Sequence, residues 1–208
     1  SSTYRGEGKI LKIPPVVCIS AFAKVEDVQK TVSSCFKRPG NRIVLMGNTA
    51  GELGGSVYYD NQGAIGNNVP KPDLEESAKI FKALHQSIRA GIVAACHDIS
   101  EGGLGTALSE MCFGNQLGAK IELAAIPHTL AKPRPDYLLF SETPCRFLLE
   151  VAEENLQQLK DIFGNLPFGV IGEVTANQRV EIGYDGKSVV AANIKDLQQG
   201  WEKPMKTI

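Results

Sequence analysis

The sequence predicts an α/β (α+β) chain, a mixed sheet with helices packed on it. Short runs rich in Val, Ile and small residues are interleaved with segments whose apolar residues recur every three or four positions. Glycines at 91, 114 and 164 fall where those helical patterns stop, and Asp185-Gly186 divides two strand-like segments as a tight turn does. In chain order, Val16–Val25 (VVCISAFAKV) reads as a buried strand, and Arg42–Met46 as a second, ended by Gly47-Asn48. After Pro72-Asp73, residues Leu74, Ala78, Phe81, Leu84 and Ile88 share one face of a helix. Ile92–Cys96 is a short buried strand, and Gly103–Phe113 a helix with Leu104, Leu108 and Met111 inward. Strands near Ala119–Leu123 and Arg146–Val151, a helix near Glu153–Phe163 and a strand near Phe168–Val174 follow. A hairpin of Arg179–Tyr184 with Lys187–Ala191, then a short helix around Ile194–Gln199, completes the pattern.

The chain has 208 residues, 43% of them apolar, with 22 Lys plus Arg against 23 Asp plus Glu. A chain of this size buries roughly 70% of its surface on folding, so it needs neither disulfide nor metal to hold a core. A net charge of −1 lacks the broad basic footprint of a nucleic-acid binder, and no run of 18 apolar residues is present to span a bilayer. No nucleic acid and no membrane are therefore expected as partners. The five cysteines are widely and irregularly spaced without a Cys-x-x-Cys pair. Each lies in or beside an apolar stretch, which predicts free thiols acting as small buried hydrophobes in a reducing, cytoplasmic compartment. The Pro-containing patches are too short for interdomain linkers, so residues 15–208 are expected to form a single domain.

Three segments carry candidate chemistry. Cys96–Leu104 (CHDISEGGL) places His97, Asp98, Ser100 and Glu101 between a buried strand and a helix led by Gly102 and Gly103. Such a helix start turns free N–H groups toward an anion, the glycines let a phosphate approach, Asp98 could hold Mg²⁺ and Ser100 could meet a phosphate. The competing assignment makes Asp98 or Ser100 the helix N-cap, with the glycines serving close packing. Thr49–Ser56 (TAGELGGS) is glycine-rich and carries Glu52, but lacks the Lys of a phosphate-binding P-loop, so close backbone packing is expected. Phe140–Phe147 (FSETPCRF) offers Arg146 as a phosphate or carboxylate clamp and Glu142 as an amine acceptor, unless the two simply pair. His85, His97 and His128 have no metal-pair spacing, and His97 is expected to be hydrogen-bonded and structural; no catalytic residue is assigned.

HDISEGGLGTALSEM (His97–Met111) resembles the HDxSDGGL segment of the phosphoribosylformylglycinamidine synthase family. IPPVVCISAFAKVEDV (Ile13–Val28), Pro39-Gly40, GELGGSVYY (Gly51–Tyr59), LLFSETPCRFLLEV (Leu138–Val151) and WEKP (Trp201–Pro204) follow the family's motif order. The resemblance is to the C-terminal domain of the second half of the synthetase subunit, in the aminoimidazole ribonucleotide synthase-like fold. It implies that residues 1–14 are a lead from a missing N-terminal domain and that the chain is a piece of a longer protein. The implied reaction is an ATP-dependent ligation in purine biosynthesis that turns formylglycinamide ribonucleotide and glutamine-derived ammonia into formylglycinamidine ribonucleotide. A glutaminase subunit and a small accessory subunit are the implied partners, and the chain alone is expected to be inactive. Carried over residue by residue, Asp98 falls on the Mg²⁺ ligand and Ser100 on the contact to ATP or ADP, with Gly102 and Gly103 beside them. Glu101 departs from the family's usual Asp. The alternatives are a structural Mg-nucleotide module without chemistry, or another superfamily member: selenophosphate synthetase, thiamine monophosphate kinase, aminoimidazole ribonucleotide synthase or a hydrogenase maturation factor.

Overall fold

The structure, a computed structural model, describes residues 3–6, 8–12 and 18–206. An exposed hairpin of β1 (Thr3–Gly6) and β2 (Lys9–Lys12) forms a separate two-stranded sheet. Then come β3 (Arg42–Met46), α1 (Val57–Asn61), α2 (Leu74–Arg89), β4 (Val93–Asp98), α3 (Gly103–Phe113), β5 (Gly118–Glu122) and α4 (Pro135–Phe140). The remainder is β6 (Phe147–Val151), α5 (Leu156–Phe163), β7 (Phe168–Thr175), β8 (Arg179–Tyr184), β9 (Lys187–Asn193) and α6 (Ile194–Lys206). Seven strands make one sheet in the order β4-β6-β3-β7-β5-β8-β9. Every pairing is antiparallel except β5 with β8, so the sheet is mixed, as the interleaved pattern predicts.

Alternation along β3 sets the layering, because successive side chains of a strand point to opposite faces. Ile43 and Leu45 enter a core shared with Leu104, Leu108 and Met111 of α3, Leu138 and Leu139 of α4, and Ile194 of α6. Val44 and Met46 enter a second core with Ile80 and Leu84 of α2 and Leu159 and Phe163 of α5. All four β3 side chains are fully buried. A strand covered on both faces reads as a continuous apolar run, which is how Arg42–Met46 appears in the sequence.

Three expectations need correction. Val16–Val25 was expected to be a buried strand; residues 16 and 17 lie outside the described residues, and 18–25 form no strand, with Ile19 and Phe22 exposed by 87% and 96%. An apolar run becomes a strand only where an edge accepts it, and the chain meets the free edge of β4 eight residues after this segment, at Ser33, whose carbonyl accepts from Cys96 N–H at 3.2 Å. On α2 the buried face is Ser77, Ile80, Ala83, Leu84 and Ser87, about one residue around from the face expected, and Leu74 and Phe81 are exposed. Both serines can be buried because each hydroxyl donates to the carbonyl one turn earlier, Ser87 to Ala83 and Ser77 to Asp73. Cys18 is exposed and Cys35, Cys96 and Cys145 are half-buried, leaving Cys112 as the one fully enclosed thiol.

Candidate functional site

The three segments singled out in the sequence meet at one end of the sheet. Met46 at the end of β3 and Asp98 at the end of β4 both stand opposite Phe147, the first residue of β6. The loops that follow or precede these residues must therefore converge, and hydrogen bonds join them. Ala50 N–H donates to Thr143 Oγ1 at 3.0 Å, Glu52 N–H to Ser141 Oγ at 3.1 Å, and Glu142 N–H to the Glu52 carbonyl at 3.1 Å.

Arg146 lies beneath these loops, only 1% exposed. Its guanidinium donates to the Thr143 carbonyl at 2.9 Å, to Thr49 Oγ1 at 3.0 Å and to the Ser141 carbonyl. Burial pushes its pKa down to about 10, against the pull of the Glu52 and Glu142 charges, and it stays cationic at neutral pH. The expected phosphate clamp and the Glu142–Arg146 pair are both corrected: the fork is spent on holding the loops, and Glu142 turns elsewhere. One oxygen of Glu142, Oε1, accepts from Gly102 N–H at 2.8 Å and from Val57 N–H at 3.0 Å. A single carboxylate thus caps the starts of α3 and α1, where partial positive charge favours an anion.

That capping also revises the alternative assignment of Asp98 or Ser100 as N-cap. The N-cap of α3 is Gly102, at φ 76°, with no bond from its own side chain. A Cβ on Gly103, at φ 66°, would lie 2.6 Å from the Leu139 carbonyl oxygen and 2.8 Å from that of Ser141. Close packing of α3 on the end of α4 therefore requires glycine there. Gly54 behaves likewise, since its Cβ would stand 2.7 Å from the Asn68 backbone.

Asp98 and Ser100 remain at the rim. The Asp98 side chain is 63% exposed and its Oδ2 accepts from the Ser100 hydroxyl. They line a cavity of about 310 Å³ together with Glu101, Glu142, Phe81 and Phe147. A second hollow of about 210 Å³, lined by Glu52, Lys71 and Thr143, adjoins it through Pro144 and Cys145. The peptide after Asp98 is pinned on both sides: its carbonyl faces His97 Nδ1 at 2.6 Å, and Ile99 N–H donates to the Arg146 carbonyl at 3.0 Å. His97 Nε2 lies 3.2 Å from Glu110 Oε2, which gives this ring the structural, hydrogen-bonded place expected of it.

Among the described residues no group of three His, Cys, Asp or Glu could enclose a metal. One exposed carboxylate with further acidic side chains around the same cavity fits Mg²⁺ that arrives on phosphate, since Mg²⁺ keeps water and phosphate oxygens and needs only one or two protein carboxylates. Sequence reasoning overlooked Glu142 as a double cap. The signal available was its place in a polar break between apolar stretches, which reads equally as ligand contact or as ion pair.

A seven-stranded mixed sheet with helices on both faces defines an α/β class of protein, here with the candidate loops gathered at one end of the strands. Residues 38–185 match the family model for the C-terminal domain of AIR synthase related proteins, and the chain belongs to that family. It is 28% identical over 199 residues to phosphoribosylformylglycinamidine synthase subunit PurL of Cutibacterium acnes, covering 94% of this chain and 25% of that one. With the same subunit of Methanosarcina mazei it shares 36% over 163 residues, 78% of this chain and 22% of that one. The chain thus spans about a quarter of the length of the curated relatives it matches. Among solved structures, Thermotoga maritima PurL complexed with FGAR aligns at a TM-score of 0.73 and 22% identity, covering 82% of this chain and 30% of that one. The hydrogenase maturation protein HypE aligns at 0.57 and 18%, covering 78% and 55%. These likenesses show the fold, and the aminoimidazole ribonucleotide synthase-like architecture expected from the motifs is the one found.

Proposed function

We propose that this chain is the C-terminal α/β part, residues 15–208, of an ATP-dependent ligase of purine biosynthesis that makes formylglycinamidine ribonucleotide, with residues 1–14 leading in from a preceding domain. In this reading Asp98 binds Mg²⁺ carried by ATP or ADP, Ser100 contacts the nucleotide, and Gly102 and Gly103 form the tight turn beside it. The observation that carries it is the Asp98 carboxylate, exposed at the mouth of a cavity yet held by Ser100 and by a peptide fixed on both sides. Family membership and the motif order support the same reading. Bound Mg²⁺ would neutralise phosphate charge. The Gly102 N–H already serves Glu142, and the Gly103 N–H donates to the Ser100 carbonyl at 3.0 Å. Phosphate would therefore meet this domain through Mg²⁺ on Asp98, would take the Ser100 hydroxyl only once that leaves Asp98 Oδ2, and would reach the helix start only by displacing Glu142.

Turnover belongs to the whole synthetase: formylglycinamide ribonucleotide as substrate, a glutaminase subunit supplying ammonia, a small accessory subunit, and the cytoplasm as location. The relatives' printed names support the reaction and the partners, PurL of Thermotoga maritima having been solved with FGAR and as a PurLQS assembly. Among the described residues no helix is long and apolar enough to cross a membrane. Calorimetric titration of Mg-ADP into the 208-residue chain tests the site. Saturable, magnesium-dependent binding is expected, weakened about tenfold or more in Asp98→Asn, a loss of roughly 1.4 kcal/mol. Equal affinity in parent and variant would sink the assignment of Asp98. Loss of binding together with a lowered melting temperature would favour a structural nucleotide module instead.

A further inference from the structure

A chain of side-chain contacts runs from the C-terminal helix to the Asp98 rim. Trp201 on α6 donates its indole N–H to Glu110 Oε1 at 2.7 Å. The other oxygen of Glu110, on α3, meets His97 Nε2 at 3.2 Å. The far side of that ring holds the Asp98 carbonyl at 2.6 Å and lies 3.5 Å from Asp98 Oδ1. Three elements supply the four residues: Trp201 from α6, Glu110 from α3, and His97 with Asp98 from β4. Glu110 is the hinge of the arrangement, because its two oxygens are divided between the links; the side chain is 26% exposed, so solvent screening is only partial. Trp201 is also packed edge-on against Phe113 of α3, with ring centroids 6.0 Å apart. A shift of α6 along α3 therefore moves the indole relative to Glu110.

We propose that Glu110 is a positioning residue that couples the C-terminal helix, through Trp201 and His97, to nucleotide binding at Asp98. The inference rests on the nucleotide reading above and extends it. By linkage the coupling acts both ways: a ligand that fixes Asp98 alters the surroundings of Trp201, and loosening Trp201 weakens the ligand. Trp201 is the chain's one tryptophan, so its emission reports this contact without added label.

The test follows Trp201 emission and calorimetric heat in parallel while Mg-ADP is added to the 208-residue chain. A saturating emission change with the calorimetric Kd is expected in the parent, and its loss in Glu110→Ala. Affinity should fall about fivefold in Glu110→Ala and similarly in Trp201→Phe, and the double variant should be no weaker than either single one, as members of one pathway require. Trp201→Phe keeps an aromatic ring beside Phe113 while deleting the donor, so it serves if Glu110→Ala does not fold. Unchanged Mg-ADP affinity in the variants, or an emission change that persists in Glu110→Ala, overturns the coupling while the nucleotide site stands. Absence of Mg-ADP binding to the folded parent overturns the nucleotide site and the coupling with it, and the calorimetric trace of the parent separates the two failures.

Discussion

Gly103 shows how much of the site is decided by single atoms. Its φ of 66° lies in the left-handed region, and a Cβ would press on the carbonyl oxygens of Leu139 and Ser141, both backbone atoms that cannot rotate away. Gly103→Ala should therefore cost about 2 kcal/mol or more, read as a lower urea midpoint at unchanged slope; a variant within experimental error of the parent would contradict the packing argument. In the sequence the double glycine is visible, but its reason is not, because a phosphate and a carbonyl oxygen make the same demand for space. Arg146 and Glu142 illustrate the same ambiguity. A charged pair four residues apart in a polar break suggests a clamp or an ion pair, whereas Glu142 accepts from Gly102 and Val57, tens of residues away, and Arg146 divides its donors between distant Thr49 and the nearby carbonyls of Ser141 and Thr143. The strand-end position of Asp98 and Ser100 is legible, because their neighbours in the chain, a buried strand before and a helix after, already confine them there.

At the scale of elements, α2 has the clearest start signal, Pro72-Asp73 ahead of two glutamates. Asp73 Oδ1 accepts from the N–H groups of both Glu75 and Glu76 at 3.0 Å, capping two donors that the helix leaves free. Asp73→Ala should destabilise the chain by about 1 kcal/mol, and Asp73→Asn, which keeps an acceptor, should restore most of that in denaturant melts; equal midpoints for all three would show that the cap is idle. Periodicity located β3 and α3 with the bounds they adopt, since each presents a sustained pattern to a core. It did not find α1 or α4, helices of 5 and 6 residues too short for a period to appear. Nor did it place the buried face of α2, where serines that bond their own helix take positions a hydropathy pattern assigns outward. The apolar segment 18–25 failed for the opposite reason: composition alone reports a wish for burial, and among the described residues the segment pairs with neither edge of the sheet.

Across the whole molecule, the buried thiol of Cys112, the half-buried thiol of Cys96 and one buried guanidinium give stability a pH dependence whose sign can be worked out. Burial raises Cys112 to about 12, and burial with the nearby Asp98 charge does the same for Cys96, against an ordinary value of 9.0. Above pH 9 the unfolded chain sheds these protons while the native one keeps them, so the unfolded state binds fewer protons and stability falls as pH rises toward 12. Arg146 acts in the other direction: its native pKa of about 10 lies below the ordinary 12.5, so above pH 10 the unfolded state holds the extra proton and the trend is partly offset. Between pH 8 and 10 the thiols dominate, Arg146 beginning to offset them only near pH 10, and each thiol should remove roughly 1 kcal/mol there. Urea midpoints at pH 8, 9 and 10 should fall in the parent, more steeply above pH 9, and about half as far, in free-energy terms, in Cys112→Ala. The alanine lowers the starting stability by a pH-independent cavity cost of about 1 kcal/mol, which leaves the slope as the readout. Parallel slopes in the two proteins would mean that Cys112 ionises in the folded core as readily as in water, which its complete enclosure between α3 and the sheet forbids.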